Sequence, residues 1–255
     1  MTRAIKIQAR VVGALLLREA RVRHGRTQFG YLWAIVEPVF HVVILSALFS
    51  TFARQAPFGD SMGLFFATGV LPFHLYRNTA QYLGAAFEAN KPLFNYPVIQ
   101  QLDAVFARFL LELATWFIVV LIVMSFVIGV LDAPKPNDLA GILHAMAFVA
   151  LFGFGLGLLN AVIRRKYNAW GVMFNVATSP LLFLSAVFYT LESIPSEFRG
   201  YLAWNPLVHG VEGFRTGYYL NYRSSALDLN YLMWCGLVCL CLGLLFERLT
   251  RAMEL

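Results

Sequence analysis

The chain has 255 residues, of which 59% are hydrophobic and 13% are charged, and its formal net charge is +6. A soluble domain carries about 25% charged residues, and here the deficit extends along the whole chain rather than lying in one apolar anchor. This composition excludes an ordinary soluble domain and predicts an all-α polytopic membrane protein.

A basic segment precedes the first apolar stretch. It lacks both the short apolar core and the small-residue cleavage site of a signal peptide. A basic arm can bind nucleic acid, but beside a membrane span it more often marks a cytosolic face. We therefore expect a lipid membrane partner and no nucleic acid. The basic residues are Arg3, Lys6, Arg10, Arg18, Arg21, Arg23 and Arg26.

Six stretches are candidates for transmembrane helices, because a helix needs about 20 apolar residues to cross the hydrocarbon. The second stretch is interrupted by Pro72, His74 and Arg77. The stretches are roughly Trp33–Ala53, Met62–Leu83, Val105–Leu131, Leu139–Ile163, Trp170–Leu191 and Leu229–Phe246.

The positions of the other basic residues predict the topology. Arg164, Arg165 and Lys166 fall between the fourth and fifth stretches, and Arg248 and Arg251 follow the sixth. If every stretch crosses, both groups lie on the same side as the basic N-terminal segment. Cytosolic loops carry an excess of Lys and Arg, so the pattern predicts six spans with both termini in the cytosol.

Ionisable groups and a proline lie inside the predicted spans. Glu37 stands just inside the cytosolic end of the first span, where a charge costs less than the roughly 2.5–3.5 kcal/mol of mid-span insertion. Pro38 leaves a carbonyl one turn earlier without its partner and bends the helix. Arg108 and Glu112 are four residues apart and can pair on one helix face. These groups are either structural links between helices or a functional site.

Two connections differ from ordinary loops. The sequence FEANKPLFNYPVIQQLD (Phe87–Asp103) is broken by Pro92 and Pro97 but is too apolar for a free loop. It predicts a short interfacial helix, which either presents its side chains to a partner or lies passively among the headgroups. On the external side, residues 192–228 are rich in aromatic side chains, and Asn205-Pro206 is a helix start. We predict a re-entrant pair of short helices there.

Motifs for catalysis and metal binding do not occur. The chain has no G-x-x-x-x-G-K-[ST] phosphate loop, no H-E-x-x-H, no Cys-x-x-Cys and no G-x-S-x-G. The five histidines are scattered over different segments, and Cys235 and Cys239 have no further ligand nearby. We therefore expect no metal site, no cofactor and no enzymatic activity of this chain by itself. Gly153 and Gly157 have the spacing of a close helix contact and suggest a dimer seam.

Three motifs carry a resemblance to a known family. They are RTQFGYLWAIVEPVF (Arg26–Phe40), SPLLFLSAVFYTLESIP (Ser179–Pro195) and WNPLVHGVEGFRTGYY (Trp204–Tyr219). In this order, on a chain of this size, they resemble permease subunits of polysaccharide-exporting ABC transporters, in the capsular KpsM/BexB branch. The similarity runs over nearly the whole chain. One departure is Ser185-Ala186, where many relatives have Ser-Gly.

The resemblance implies an ATP-driven exporter of lipid-linked capsular polysaccharide in the bacterial inner membrane. Two permease copies form a homodimer, and two copies of a separate ATPase subunit bind the ATP and Mg. A periplasmic adaptor and an outer-membrane export channel continue the route. The chain is then a single transmembrane domain (1–255). Its parts are a cytosolic amphipathic and elbow segment (1–32), spans one to five (33–191), an external re-entrant gate region (192–228), and span six with a cytosolic tail (229–255).

The resemblance also assigns roles to residues. Those of the cytosolic mouth and elbow are Arg18, Arg21, Arg26, Gly30, Trp33, Glu37 and Pro38. Those that contact the ATPase through a coupling helix are Lys91, Pro92, Leu93, Phe94, Tyr96 and Pro97. Those of the translocation path and external gate are Phe65, Phe66, Tyr76, Phe188, Tyr189, Trp204, Asn205, Pro206, His209, Glu212 and Arg215. By chemistry alone, the aromatic residues fit either an interfacial belt or a path on which sugar rings stack.

Three other functions stay open. The first is export of O-antigen, teichoic acid or another lipid-linked glycan. The second is an intramembrane glycosyl- or acyltransferase, which needs a catalytic acid or His beside a donor-binding motif. The third is a proton-coupled carrier that uses Arg108, Glu112 and Glu37.

Overall fold

The apolar stretches of the sequence form long helices. The computed structural model describes residues 2–24, 29–52 and 55–252, and the side chains of 6–22, 36–52 and 55–251. Within these ranges the chain is helical and contains no strand. Two 3-10 helices, Lys91–Asn95 and Leu191–Ser193, interrupt the series. The α-helices are α1 (Thr2–His24), α2 (Phe29–Phe52), α3 (Met62–Gly84), α4 (Ala86–Asn90), α5 (Gln101–Val130), α6 (Leu139–Lys166), α7 (Trp170–Thr178), α8 (Leu181–Leu184), α9 (Ser196–Ala203), α10 (Pro206–Tyr218) and α11 (Leu229–Ala252).

Three of the described helices are long and apolar enough to cross a bilayer. They are Gln101–Val130, Leu139–Lys166 and Leu229–Arg251, and Val36–Phe52 forms a shorter apolar helix. These helices match the third, fourth and sixth predicted stretches, although the ends predicted to be cytosolic run further than predicted. The all-helical, multi-pass architecture is therefore confirmed, whereas the count of six spans stays a prediction.

The prediction that the fifth stretch (170–191) forms one continuous helix is wrong. Helix α7 ends at Thr178 and α8 covers only Leu181–Leu184. Pro180 between them has no N–H to continue the hydrogen-bond ladder. The hydroxyls of Thr178 and Ser179 donate back to the carbonyls of Phe174 and Asn175, each at 2.9 Å. Such back-bonding bends a helix, so the local sequence accounts for the break.

Helix α6 lies at the centre and packs against α3, α10 and α11. Its glycines permit these contacts, because a Cβ at Gly155 would lie 2.7 Å from the Gly236 carbonyl oxygen of α11. A Cβ at Gly157 would lie 2.7 Å from the Leu83 Cβ of α3, and one at Gly153 would lie 3.1 Å from Thr79. The prediction that Gly153 and Gly157 form a dimer seam is therefore wrong, because residues of α3 in the same chain occupy the space beside both glycines.

Candidate functional site

The backbone leaves helical geometry directly after α8. Ala186 has a φ of 58°, in the left-handed region that favours glycine. Ser185, Ala186 and Val187 are all buried. This is the position of the departure noted from the sequence, where the resemblance implies Ser-Gly in many relatives. The alanine here adopts a conformation that glycine adopts at less cost. The main consequence of having alanine in place of glycine here is therefore backbone strain at a buried turn. From the sequence alone, the extra methyl group suggested tighter side-chain packing instead.

Arg215 of α10 holds this turn in place. Its Nη1 donates to the carbonyl oxygens of Ala186 at 2.7 Å and Tyr189 at 2.9 Å, and its Nη2 donates to that of Val187 at 2.9 Å. The guanidinium is fully buried and lies over the ring of Phe65, 4.0 Å from its centroid. These contacts satisfy carbonyls that have lost their helical partners. The N–H groups of a buried guanidinium thus donate the hydrogen bonds that backbone N–H groups donate inside a helix.

The charge of Arg215 is balanced within the same helix. One carboxylate oxygen of Glu212 lies 3.6 Å from the Arg215 Nη1, and both side chains have no exposed surface. The Tyr222 hydroxyl lies 2.9 and 2.8 Å from the two oxygens of Glu212 and donates to this carboxylate. A buried charge is tolerated when it is paired and hydrogen-bonded. The structure therefore brings together two of the predicted gate residues as one neutral unit.

The third polar gate residue, His209, makes different contacts. Its Nε2 donates to the Ala203 carbonyl oxygen at 2.8 Å, and its Nδ1 accepts from the Asp228 N–H at 3.0 Å. Both ring nitrogens are used, which fixes a neutral tautomer with its proton on Nε2. His209 therefore ties α9 and the start of α11 to α10.

The helix start predicted at Asn205-Pro206 is confirmed. Helix α10 begins at Pro206, and the Asn205 side-chain oxygen accepts from the Leu207 N–H at 3.1 Å. The Asn205 amide also donates to the Leu184 carbonyl oxygen at 3.2 Å and to the Ser185 hydroxyl at 3.0 Å. One side chain thus caps α10 and fastens it to the end of α8.

The aromatic residues predicted to line a path fall into two groups. Phe65, Phe66 and Tyr76 are buried inside the chain, so they offer no surface to a ligand. The other three reach the surface to different degrees. Phe188 and Tyr189 are half-buried, and Phe188 stacks on Phe183 at 4.8 Å between ring centroids. Trp204 is 80% exposed.

At the predicted cytosolic mouth, α2 runs without a break through Pro38. Glu37 is half-buried, and its Oε1 lies 3.8 Å from the Nδ1 of His74 in α3. Gly30 and Trp33 belong to the first turns of the same helix. Arg26 lies outside the described residues. The structure therefore places Glu37 beside His74, which belongs to a different predicted span.

A second buried polar cluster joins α1 to α4 and α5. Glu19 of α1 is buried, and the Arg108 Nη2 lies 3.2 Å from its Oε2. The Asn90 amide and the Tyr82 hydroxyl donate to the same carboxylate at 2.7 and 3.0 Å. Arg18 donates to the Asn90 side-chain oxygen, while Arg21 is exposed.

The sequence analysis did not predict this cluster. Arg108 was predicted to pair with Glu112, one turn away, but its ion pair is with Glu19, 89 positions earlier in the chain. The Glu112 carboxylate accepts from the Trp116 indole N–H at 2.9 Å. A signal did exist, because Glu19 is the only acidic residue before Glu37 in a strongly basic segment.

Electrostatics stabilises the ionised form of Glu19. Burial alone raises the pKa of this carboxyl group, but the Arg108 charge and the hydrogen bonds from Asn90, Arg108 and Tyr82 outweigh it. The pKa of Glu19 is therefore held below its ordinary value of 4.5. At neutral pH the cluster contains a buried carboxylate and a buried guanidinium, which fasten α1 to α5.

The segment 87–103, predicted to form a short interfacial helix, contains short helical pieces, and its position at a membrane interface stays a prediction. Helix α4 is followed by the 3-10 helix Lys91–Asn95, and Tyr96 and Pro97 come next. Lys91, Pro92, Tyr96 and Pro97 are exposed, whereas Leu93 and Phe94 are half-buried. The Phe94 ring packs edge-on against Phe87 of α4. This end of the bundle therefore exposes a surface of mixed polar and apolar side chains.

Comparisons with known proteins agree with this architecture. The ABC-2 type transporter family matches residues 10–219. The polysialic acid transport protein KpsM of Escherichia coli is 32% identical over 243 residues, which cover 95% of this chain and 94% of that protein. The capsule polysaccharide export inner-membrane protein BexB of Haemophilus influenzae is 30% identical over 246 residues, which cover 96% and 92%. The O-antigen export system permease protein RfbA of Klebsiella pneumoniae is more distant, 21% identical over 199 residues, which cover 78% and 76%.

The helices long enough to cross a bilayer place the chain among the polytopic helical membrane proteins. The match over residues 10–219 makes the assignment specific. The chain belongs to the ABC-2 type transporter family.

Proposed function

We propose that the chain is the permease subunit of an ATP-driven exporter that moves lipid-linked capsular polysaccharide across the bacterial inner membrane. The observation that carries this proposal is the similarity to KpsM and BexB over nearly the full length of both chains. The similarity to the O-antigen permease RfbA is lower and covers less of the chain. Export of O-antigen or another lipid-linked glycan is therefore the second candidate.

The chain crosses the membrane six times in this proposal, with both termini in the cytosol. Helices α5, α6 and α11 supply three crossings, and the apolar part of α2 supports a fourth. Helix α3 and the broken pair α7–α8 supply the remaining two. The basic ends of α6 and α11 then lie on the cytosolic side. Helix α1 lies on the same surface, where its exposed Arg21 meets anionic headgroups.

The energy comes from a partner in this proposal. Two copies of a separate ATPase subunit bind ATP and Mg and dock on a homodimer of the permease. The exposed side chains of the coupling segment, from Lys91 to Pro97, form the contact surface. Because Asn90 contacts both Arg18 and Glu19, a force on this segment reaches α1 directly.

The external gate consists of the 192–228 region and the turn held by Arg215. The half-buried Phe188 and Tyr189 and the exposed Trp204 face the path between the two subunits, whereas Phe65, Phe66 and Tyr76 support them from inside each protomer. Sugar rings stack on aromatic faces while their hydroxyl groups bind polar tips. A periplasmic adaptor and an outer-membrane channel receive the polymer.

Deletion of the gene in its own host tests the proposal. We expect the surface capsule to disappear from immunoblots of intact cells, while lipid-linked capsular glycan accumulates inside them and the O-antigen ladder stays unchanged. Re-expression of the chain from a plasmid restores the capsule. A normal capsule together with a lost O-antigen ladder favours the second candidate, and two unchanged glycans contradict both.

A further inference from the structure

Three side chains that ligate metals converge between α2 and α3. Glu37 and His41 are one turn apart on α2, and His74 faces them from α3. One ligand atom from each residue lies within 4.8 Å of the others. The two imidazole rings have their centroids 4.8 Å apart. The expectation of scattered, isolated histidines is therefore wrong for this pair.

His74 lacks a partner for one of its ring nitrogens. Its side chain is 1% exposed, and its Nδ1 is buried with no hydrogen-bond partner among the described residues. The nearest carboxylate oxygen, on Glu37, is 3.8 Å away, which is too long for a hydrogen bond. An unsatisfied buried polar atom is costly, so a group that binds between the two side chains removes this cost.

His41 is oriented as metal-ligating histidines usually are. Its Nδ1 lies 3.0 Å from the backbone carbonyl oxygen of Glu37 and must donate its proton there, because a carbonyl only accepts. The lone pair is then on Nε2. A metal-bound histidine almost always uses its other nitrogen in this way, which fixes the tautomer and the ring orientation. Two histidines and one carboxylate are a known zinc ligand set that leaves a fourth position open.

The surrounding charges limit which ion fits. Arg77 follows His74 by one turn of α3 and adds positive charge near that ligand. The Glu37 carboxylate is the negative charge that offsets it. Because this set contains only one carboxylate, a hard cation such as Ca²⁺ or Mg²⁺, which prefers several oxygen ligands, fits poorly. Imidazole suits the borderline ion Zn²⁺.

We propose that Glu37, His41 and His74 bind one Zn²⁺ per protomer and that the ion links α2 to α3. Zinc–nitrogen distances of about 2.0–2.1 Å require ligand atoms roughly 3.3 Å apart, so the side chains must close from their present spacing. Glu37 is half-buried, whereas His74 is buried. The ion then fixes the position of α2 on the bundle, whatever substrate the protein transports.

Zinc binding by the purified protein tests this site. The chain is prepared with an affinity tag that contains no histidine, stripped with a chelator and titrated with Zn²⁺, and bound metal is measured by mass spectrometry after dialysis. We expect about one Zn²⁺ per chain. The double variant His41→Gln/His74→Gln should bind at least about 100-fold more weakly, since loss of the groups that hydrogen-bond to metal ligands alone costs about 10–100-fold. The variant His144→Gln, at an exposed histidine of α6, should bind as the unchanged chain does.

A second readout reports the geometry and the link between helices. Co²⁺ in place of Zn²⁺ should give the visible absorption bands of a four-coordinate ion, and Zn²⁺ should raise the thermal unfolding temperature of the unchanged chain but not of the double variant. If the double variant aggregates, Zn²⁺ binding is measured instead on the single variant His41→Gln, which changes a half-buried residue. No stoichiometric Zn²⁺ on the unchanged chain overturns the proposal. Equal binding by the histidine variants overturns it as well.

Discussion

The side chain of Arg215 supplies hydrogen bonds to backbone carbonyls at the turn after α8, where the helical ladder has ended. Three carbonyl oxygens of the turn depend on its guanidinium, and Glu212 depends on its charge. Because the Arg215 guanidinium, the Glu212 carboxylate and the residues Ala186 and Val187 are fully buried, water cannot take the place of a lost partner there. The predicted external gate therefore depends on one residue.

Replacement of Arg215 by methionine is expected to destabilise the protein strongly. The change leaves Glu212 as an unpaired buried charge, and breaking a buried pair costs about 3–5 kcal/mol. The measurement is thermal unfolding in detergent. As a control, Arg199→Met removes the partner of Glu192 in an ion pair that is about one-third exposed, and its cost should stay below about 1 kcal/mol.

A further variant separates the ion pair from the hydrogen bonds of Arg215. The double change Arg215→Met/Glu212→Leu removes both charges and should recover part of the loss, because an apolar pair tolerates burial. If Arg215→Met unfolds at the same temperature as Arg199→Met, the interpretation of Arg215 as the support of the turn is wrong.

Glu19 attaches helix α1 to the bundle through buried polar contacts. The Glu19→Gln variant should lower the stability by about 3 kcal/mol at neutral pH, because Arg108 then keeps a buried charge without its carboxylate. The folded-state pKa of Glu19 is lowered, so its contribution is complete above the ordinary value of about 4.5 and is lost as the pH falls through the folded-state pKa. The difference in unfolding temperature between the two proteins should stay constant from pH 8 to pH 6 and shrink below pH 4.5. A difference that grows on acidification contradicts this assignment.

The coupling segment is predicted to act through its surface rather than through stability. Tyr96 is 61% exposed, so Tyr96→Ala should change the stability by less than about 0.5 kcal/mol. We expect this variant to retain less ATPase subunit when the complex is purified through the permease. Tyr201→Ala, at a tyrosine of α9 that is 79% exposed, is the control and should retain the normal amount. Equal retention by both variants excludes Tyr96 from the contact.

How far each element could be predicted depends on whether its cause is local. Long apolar runs determine α3, α5, α6 and α11, and the Asn-Pro pair determines the start of α10, so these were predicted. The break of the fifth stretch has a local cause as well, at Ser179-Pro180. It was not predicted because the surrounding residues are hydrophobic enough to suggest one continuous span. The Glu19–Arg108 and His41–His74 contacts join residues far apart in the chain. Apolar periodicity carries no information about which polar groups meet across helices.

In the proposed exporter, the whole chain depends on a separate ATPase subunit. Its sequence contains no phosphate loop, so the purified permease alone is expected to hydrolyse no ATP, whereas the complex with its ATPase should do so in a Mg-dependent reaction. Phosphate release in detergent or proteoliposomes measures this difference. ATP hydrolysis by the isolated chain that persists after contaminating ATPases have been removed contradicts the proposal that a separate subunit hydrolyses the ATP.

The structure of the complex in a lipid bilayer, determined by electron cryomicroscopy, tests the proposed exporter most directly. We expect two permease chains related by a twofold axis, with an ATPase subunit against each coupling segment and a path between the chains wide enough for a carbohydrate strand. Phe188, Tyr189 and Trp204 should face that path. A single permease chain, or a pair whose interface is closed along its whole length in every nucleotide state, contradicts the proposal.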